Sequence, residues 1–504
     1  MKVFLLVLYA AAFLTIGVIT MRRTRTLGDF FLGNRQIGPW MSAFAYGTTY
    51  FSAVLFVGYA GRIGWSFGLS GLWIALGNTL VGSLLAWLVL ARRTREMTIR
   101  LHAMTMPEFL GARYADKRLK IFAALVIFIF LVPYSGSVYI GLSYLFEQVF
   151  HLPYLAALLL MTVLTLVYLV MGGYLAVNLT DFVQGLIMLG GAALMVRTIL
   201  LRPEVGGLMA GMQKLAAIDP ALASPVGPPG PWPLLHLVLL TSLGTWGLPQ
   251  MVQKFYSIKS EAAVRPAAIV STLFAGIITF SAYFFGSLTR LFFKALPLAG
   301  GKPNADLLVP QLITLAMPDW LAAILLLLVL SASMSTLSSL VLVASSAVGM
   351  DLFQGVWWPK LSGQAMVRLM RVLCGFFIVL SFALAVTRPA FILSLMALSW
   401  GTVAGVFLAP YLYGLYWKGT TRAGAWAGAL SGLAISLGFA WWHGLDPAMV
   451  TLSGVLAMVV PLAVVPLVSL VTKPFPVEHL SRVFGPAVYG RDIALNREQA
   501  DLEP

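Results

Sequence analysis

Residues 241–250 read Thr241-Ser242-Leu243-Gly244-Thr245-Trp246-Gly247-Leu248-Pro249-Gln250, a polar, Gly- and Pro-containing island in an apolar run. Proline has no N–H to give to a helix, and its ring clashes with the preceding turn, so a helix stops or kinks here. An earlier apolar run carries a counterpart, Gly47-Thr48-Thr49-Tyr50-Phe51-Ser52. Backbone inside a bilayer must be hydrogen-bonded internally, and it leaves helical form only where it lines a cavity. Interruptions at corresponding points, five helices apart, predict two inverted repeats that meet at a mid-membrane cavity. Gly and Pro are also frequent in membrane helices generally, so an uninterrupted bundle stays open on this feature alone.

Composition sets the environment. Of 504 residues 60% are hydrophobic and only 10% charged, and the mean hydropathy is +0.91. A soluble domain of this length cannot hide that much apolar surface. The net charge of +15 would suggest nucleic acid in a soluble protein, but here the basic residues lie between apolar spans and form no exposed stripe. Nucleic acid is therefore excluded as a partner; the lipid bilayer is the expected one, and no obligatory protein partner is evident. The single cysteine, Cys374, rules out a disulfide within the chain and reads as a buried thiol. The N-terminal run 3–20 is followed by Arg22, Arg23 and Arg25 with no small-residue cleavage site, so it reads as a membrane helix that is kept.

A membrane span needs about 20 apolar residues. On that measure the spans fall near 2–21, 38–60, 68–92, 119–149, 153–170, 178–200, 232–257, 264–292, 318–347, 366–387, 389–412, 421–443 and 447–472. They are numbered 0 to 12 below, and the expectation is an all-α integral membrane protein of about thirteen helices. With the N-terminus outside, the inner loops hold Arg22, Arg23, Arg25, Arg35, the cluster Arg92 to Lys120, then Lys254, Lys259, Arg265, Lys360, Arg368, Arg371, Lys418 and Arg422. The outer loops keep few basic residues, which is the positive-inside pattern of a bacterial inner (cell) membrane protein with a cytoplasmic C-terminus. The expected layout is residues 1–37 as helix 0 and a cytoplasmic linker, 38–200 as the first repeat and 201–231 as a Pro-rich outer loop. Residues 232–412 form the second repeat, 413–472 spans 11 and 12, and 473–504 a cytoplasmic tail too short for an output domain. The outer stretch 303–316 reads as an amphipathic helix, either a lid or a plain interfacial helix.

Span 8 carries a hydroxyl run, Ser331-Ala332-Ser333-Met334-Ser335-Thr336-Leu337-Ser338-Ser339, whose residues 332, 335, 336 and 339 share one helical face. Oxygen ligands suit a hard cation such as sodium, and carbonyls freed at an unwound span 1 would join two hydroxyls in a neutral cage. Helix–helix packing explains such hydroxyls equally well. Asp181, after Gly172-Gly173 and before Gln184, enters span 5 from the cytoplasmic side. An acid within a span is a functional candidate, although an Asp in a first turn also caps a helix.

At these residues the chain resembles the sodium:solute symporter family, which includes proline, pantothenate, sugar and sialic-acid carriers. The resemblance rests on Gly172-Gly173-Tyr174-Leu175-Ala176-Val177-Asn178-Leu179-Thr180-Asp181-Phe182-Val183-Gln184, supported by Asp29-Phe30-Phe31-Leu32-Gly33-Asn34-Arg35, by Met334 to Ser339 and by Tyr416-Trp417-Lys418-Gly419-Thr420-Thr421-Arg422-Ala423-Gly424. It implies a leucine-transporter-type fold with a 5+5 inverted repeat, and sodium-coupled symport of a small organic solute by alternating access. It also implies a sodium site made by carbonyls of Thr48, Phe51 and Ala332 and hydroxyls of Ser335 and Thr336, with Asp181 as the acid on the inner ion path. In some members a second sodium uses that acid with three span-8 hydroxyls; Ala332 stands at one of those positions, which argues for a single sodium. Proline carriers of the family have an Asp where this chain has Tyr50, and their span-6 Trp falls at Thr241, while Tyr134 and Pro249 match.

Polar groups expected at the solute cavity are Tyr50, Ser52, Asn78, Tyr134, Thr241 and Thr245, with Trp246 as an apolar wall. No Arg or Lys reads as mid-membrane, so a small amino acid such as proline, or a monocarboxylate, is favoured, with a sugar-like or sialic-acid solute next. A channel or membrane sensor is the reading of another class. An enzyme is disfavoured, because His102, His151, His236, His443 and His479 show no metal or nucleophile spacing.

Overall fold

The computed structural model of the chain describes residues 2–21, 27–389 and 391–485; Arg22, Arg23, Arg25 and the tail beyond 485 lie outside them. Among the described residues ten helices are long and apolar enough to cross a membrane, from Lys2–Thr20 to Pro447–Leu470. Two of the remaining expected spans are interrupted: span 1 is divided between Pro39–Tyr50 and a π-helical start at Val54–Tyr59, and span 6 between Pro231–Gly247 and Pro249–Ser257. In span 4 the apolar piece among the described residues is Tyr154–Val167.

Spans 4 and 5 are the apolar helical pieces Tyr154–Val167 and Ala176–Leu200. The two pieces run in opposite directions. Tyr154 bonds to the carbonyl of Ala385 at the outer end of span 9, whereas Tyr174 bonds to Ser257 beside the inner loops. Leu200, at the far end, receives the N–H of Gly207 in the outer segment.

The interior belongs to spans 8 and 10, whose apolar windows are 89% and 94% buried, against 22% for span 0 and 33% for span 11. Helices buried on every side cannot be amphipathic, which is why their sequences read as apolar all round. Span 0 and span 11 are the lipid-facing margin.

Two outer segments complete the bundle. Residues 201–231 are not a plain loop: they hold the helix Leu208–Ile218 and a short 3-10 turn, Pro220–Ala223. The prolines that dominate the segment all lie outside residues 208–218, which are rich in Leu, Met and Ala, so helix propensity wins there. The stretch Leu308–Ala316 is a helix preceded by the turn Ala305–Leu307, and its Leu308, Val309, Leu312 and Ile313 are buried against the bundle. Asp306 pins this stretch: it accepts a hydrogen bond from the backbone N–H of Ile392 at 3.2 Å and lies 3.9 Å from Arg62.

Spans 1 and 7 cross where glycine meets glycine. A Cβ on Gly64 would stand 2.1 Å from the Gly286 carbonyl carbon, and one on Gly286 would stand 1.9 Å from the Ala60 carbonyl oxygen. Small residues let helix backbones touch in a membrane, where lipid supplies no hydrophobic drive between helices. Gly286→Ala therefore forces two backbones apart and is expected to cost at least about 1–3 kcal/mol. Thermal stability of the purified protein should fall by several degrees, whereas Gly190→Ala, on an open face, should leave it unchanged.

Candidate functional site: an interrupted helix against a hydroxyl-rich one

The backbone of span 1 leaves helical form at Phe51 (φ −115°, ψ 124°). The carbonyls of the last turn then lose their N–H partners four residues on. Span 8 covers them. The Thr336 hydroxyl lies 3.3 Å from the Thr48 carbonyl, 3.1 Å from that of Thr49 and 3.1 Å from that of Ala332. One hydroxyl proton serves one acceptor at a time, so this cluster keeps unused lone pairs. Ser335 donates to the Thr48 hydroxyl at 2.8 Å, and Ser333 accepts the N–H of Ala53 at 3.1 Å. All of these residues are buried. The arrangement is an uncharged oxygen cluster, and its donors fit a hard monovalent cation. Thr48, Ala332, Ser335 and Thr336 are thus brought together, and Phe51 makes the turn that frees the carbonyls.

Asp181 lies one step toward the inner side. Among the described residues no backbone N–H donates to its carboxylate, so it does not act as a helix cap. Its partner is Lys254, whose ammonium is 3.6 Å from Oδ2, with both side chains fully buried. This corrects two expectations: Lys254 is not in an inner loop, and a basic residue does stand inside the bundle. The reason is that span 6 breaks at Leu248 (φ −81°, ψ 120°), so Pro249–Ser257 starts a new helix that turns Lys254 inward. Lys254 donates to Ser339 at 3.1 Å, and Ser339 pairs with Thr49 at 3.0 Å. A chain of contacts therefore joins the acid to the span-1 break.

On the other side of span 1 lies a small cavity of about 20 Å³, room for about one water. Tyr50, Ser52, Asn78, Tyr134 and Thr241 line it; so do Phe51, Tyr59, Tyr283, Met396 and Trp400, which sequence reading missed. Tyr50 stacks on Phe51 (ring centroids 4.2 Å apart) and on Trp400 (5.9 Å), and donates to the Thr241 carbonyl at 2.7 Å. Tyr134 meets Trp400 edge-on at 5.8 Å. Tyr59 closes toward Met396, 3.0 Å from hydroxyl to sulfur. No charged side chain lines the cavity.

Thr245 and Trp246 do not line it. Thr245 bonds to the Gly82 carbonyl at 3.0 Å, and the Trp246 indole donates to the Val81 carbonyl at 3.0 Å. Span 6 is still helical through Gly247, so these two residues point at span 2. Tyr283 and Trp400 carry no such pattern signal: each is one aromatic in an apolar span, indistinguishable from core.

Residues 30–432 match the sodium:solute symporter family. The chain is 31% identical over 433 residues to the osmoregulated proline transporter OpuE of Bacillus subtilis (strain 168), covering 85% of this chain and 87% of that one. It is 30% identical over 439 residues to the sodium/proline symporter of Escherichia coli (strain K12), covering 84% of each. Among solved structures, a Na+-coupled sialic acid symporter in a substrate-bound outward-open state superposes with TM-score 0.79 at 19% identity, over 94% of this chain and 98% of that one. The nucleobase-cation-symport-1 family transporter Mhp1 in a closed conformation gives 0.54 at 14%, over 90% and 98%. These likenesses carry the leucine-transporter-type fold. The chain belongs to the sodium:solute symporter family, a family of transporters and not of enzymes, and its function is sodium-coupled solute symport across a membrane.

Proposed function

We propose that this symporter carries a small amino acid such as proline, or a monocarboxylate, and that it binds sodium on the carbonyls of Thr48, Phe51 and Ala332 and the hydroxyls of Ser335 and Thr336. The observation that carries the reading is the position of span 1, with an oxygen cluster on one side of its break and an aromatic cavity on the other. An ion that orders the break orders the wall of the solute cavity, which couples the two ligands. The relatives named for proline at 30–31% identity support a solute of that size.

Several features of the cavity bear on the solute. Flat aromatic walls at Tyr50, Tyr134 and Trp400 suit a compact, partly apolar body. The buried Trp400 indole N–H has the Tyr134 hydroxyl beside it but no well-formed hydrogen bond, which leaves a donor for a carboxylate oxygen. A sugar-like or sialic-acid solute would need more polar groups than the wall offers. At about 20 Å³ the cavity holds less than a solute, and in this reading the stretch 305–316 acts as a lid on the outer side. Loading therefore requires Tyr59, Tyr283 and the lid to withdraw, and alternating access follows from moving the broken spans against spans 8 and 10. In the proposed setting the protein sits in a bacterial inner membrane, N-terminus outside and C-terminus in the cytoplasm, as the distribution of basic residues supports.

Ser335→Ala and Thr336→Ala each remove one oxygen from the ion cluster. In proteoliposome uptake each should raise the half-saturating sodium concentration by about tenfold, and a double mutant with wild-type sodium dependence would remove this site. For the solute, Trp400→Ala should weaken binding to purified protein by about tenfold or more, while Trp246→Ala, which packs on span 2, should leave affinity close to wild type. The reverse order would move the cavity to the span 2–span 6 interface.

A further inference from the structure

Lys254 is the feature that transport by a neutral oxygen cage does not require. A fully buried ammonium beside a fully buried carboxylate is costly to form, and it is retained cheaply only where geometry is tight. This pair is loose. Its N–O distance of 3.6 Å exceeds that of a charge-assisted hydrogen bond, about 2.7–2.9 Å. Among the described residues the polar neighbours of Asp181 are Lys254 and the Ser335 hydroxyl, and neither makes a well-formed hydrogen bond to its oxygens. The ammonium gives one proton to Ser339 at 3.1 Å and lies 5.4 Å from the Tyr174 ring centroid. Asp181 thus keeps most of its acceptor capacity while a cation stands beside it.

The neighbours point the same way. Asn178 and Gln184 flank Asp181 at intervals of three residues along span 5, and the side-chain carbonyl oxygen of each is buried and, among the described residues, unpaired. Three oxygen-bearing side chains on one face of a helix form a row that a cation could descend. Ser339, which holds the ammonium, lies one helical turn inward of Ser335 and also touches Thr49. The ammonium is therefore one hydroxyl away from the break that forms the ion cluster. Two unit cations that close, away from water, repel strongly.

We propose that Lys254 is a tethered cation that competes with sodium for Asp181: sodium entering the oxygen row displaces the ammonium, and return of the ammonium to Asp181 drives sodium on toward the inner side. The proposal rests on the sodium site inferred above. Lys254 lies on the half-helix beyond the span-6 break and Asp181 on span 5, so the exchange links ion release to movement of a broken span. In this exchange the ammonium changes its partner and no proton is transferred. A purely structural pin would behave differently. Losing it would loosen the inner half of the bundle, and sodium affinity would fall or stay level.

The test is sodium-dependent solute binding to purified protein, with turnover measured in proteoliposomes. Lys254→Gln should lower the half-saturating sodium concentration by about tenfold and slow turnover, as release becomes limiting. Lys254→Arg, which keeps the charge, should stay closer to wild type in both. Unchanged or weaker sodium affinity in folded Lys254→Gln overturns the proposal. If that variant does not fold, Asp181→Asn is compared with Asp181→Asn/Lys254→Gln. The double variant should bind sodium about tenfold more tightly than the single, and equal affinities overturn the proposal. Thr336→Ala in the same assay keeps the two readings apart: a loss of sodium affinity there, with no gain in Lys254→Gln, defeats the tethered cation alone.

Discussion

A helix interrupted inside a membrane exposes carbonyls that no water can satisfy, and everything in this protein is arranged around one such interruption. Span 1 stops at Phe51, and the Thr336 hydroxyl stands where the carbonyls of Thr48 and Thr49 point. Each unsatisfied group would cost several kcal/mol in hydrocarbon. Span 8 therefore has to be hydroxyl-rich at that height and buried on all sides, as it is. The same demand that stabilises the break creates a cluster of oxygens with more lone pairs than protons, which suits a small hard cation.

Coupling follows from the break having two sides. Tyr50 and Ser52 belong to the same few residues as Thr48 and Phe51, yet they face the aromatic cavity and not span 8. Phe51 belongs to both sides: its backbone makes the break and its side chain lines the cavity, so the two sides share one stretch of backbone. The second break, at Leu248, plays a different part. It redirects the chain so that Thr241 backs the cavity while Lys254 is carried inward to Asp181. Asp306 ties the stretch 305–316 to the start of span 10, and Lys254–Asp181 ties span 6 to span 5.

Much of this was legible in the sequence because it is written in residue types that a membrane tolerates poorly. Gly47 to Ser52, Thr241 to Gln250, the hydroxyls of span 8 and Asp181 all stand out against apolar surroundings. What stayed hidden was written in residues that membranes accept. Tyr59, Tyr283 and Trp400 look like core, and only three-dimensional packing turns them toward the cavity. Lys254 was hidden by position: a cation close to a span end reads as loop unless the break before it is located to the residue. Placing the break over the whole of 241–250, when it lies at Leu248, also turned Thr245 and Trp246 toward the cavity instead of toward span 2. The resemblance to the symporter family offered candidate ion-site residues at a finer grain than spacing alone.

The central claim is that sodium and solute order the same segment of span 1 from opposite sides. Linkage tests it directly, because any factor by which sodium tightens solute binding must equal the factor by which solute tightens sodium binding. The decisive measurement is a pair of equilibrium titrations on purified wild-type protein: solute against sodium concentration, and sodium against solute concentration. The account predicts reciprocal factors of about fivefold or more in both directions. Solute affinity that does not change with sodium, in protein that still transports, would contradict it.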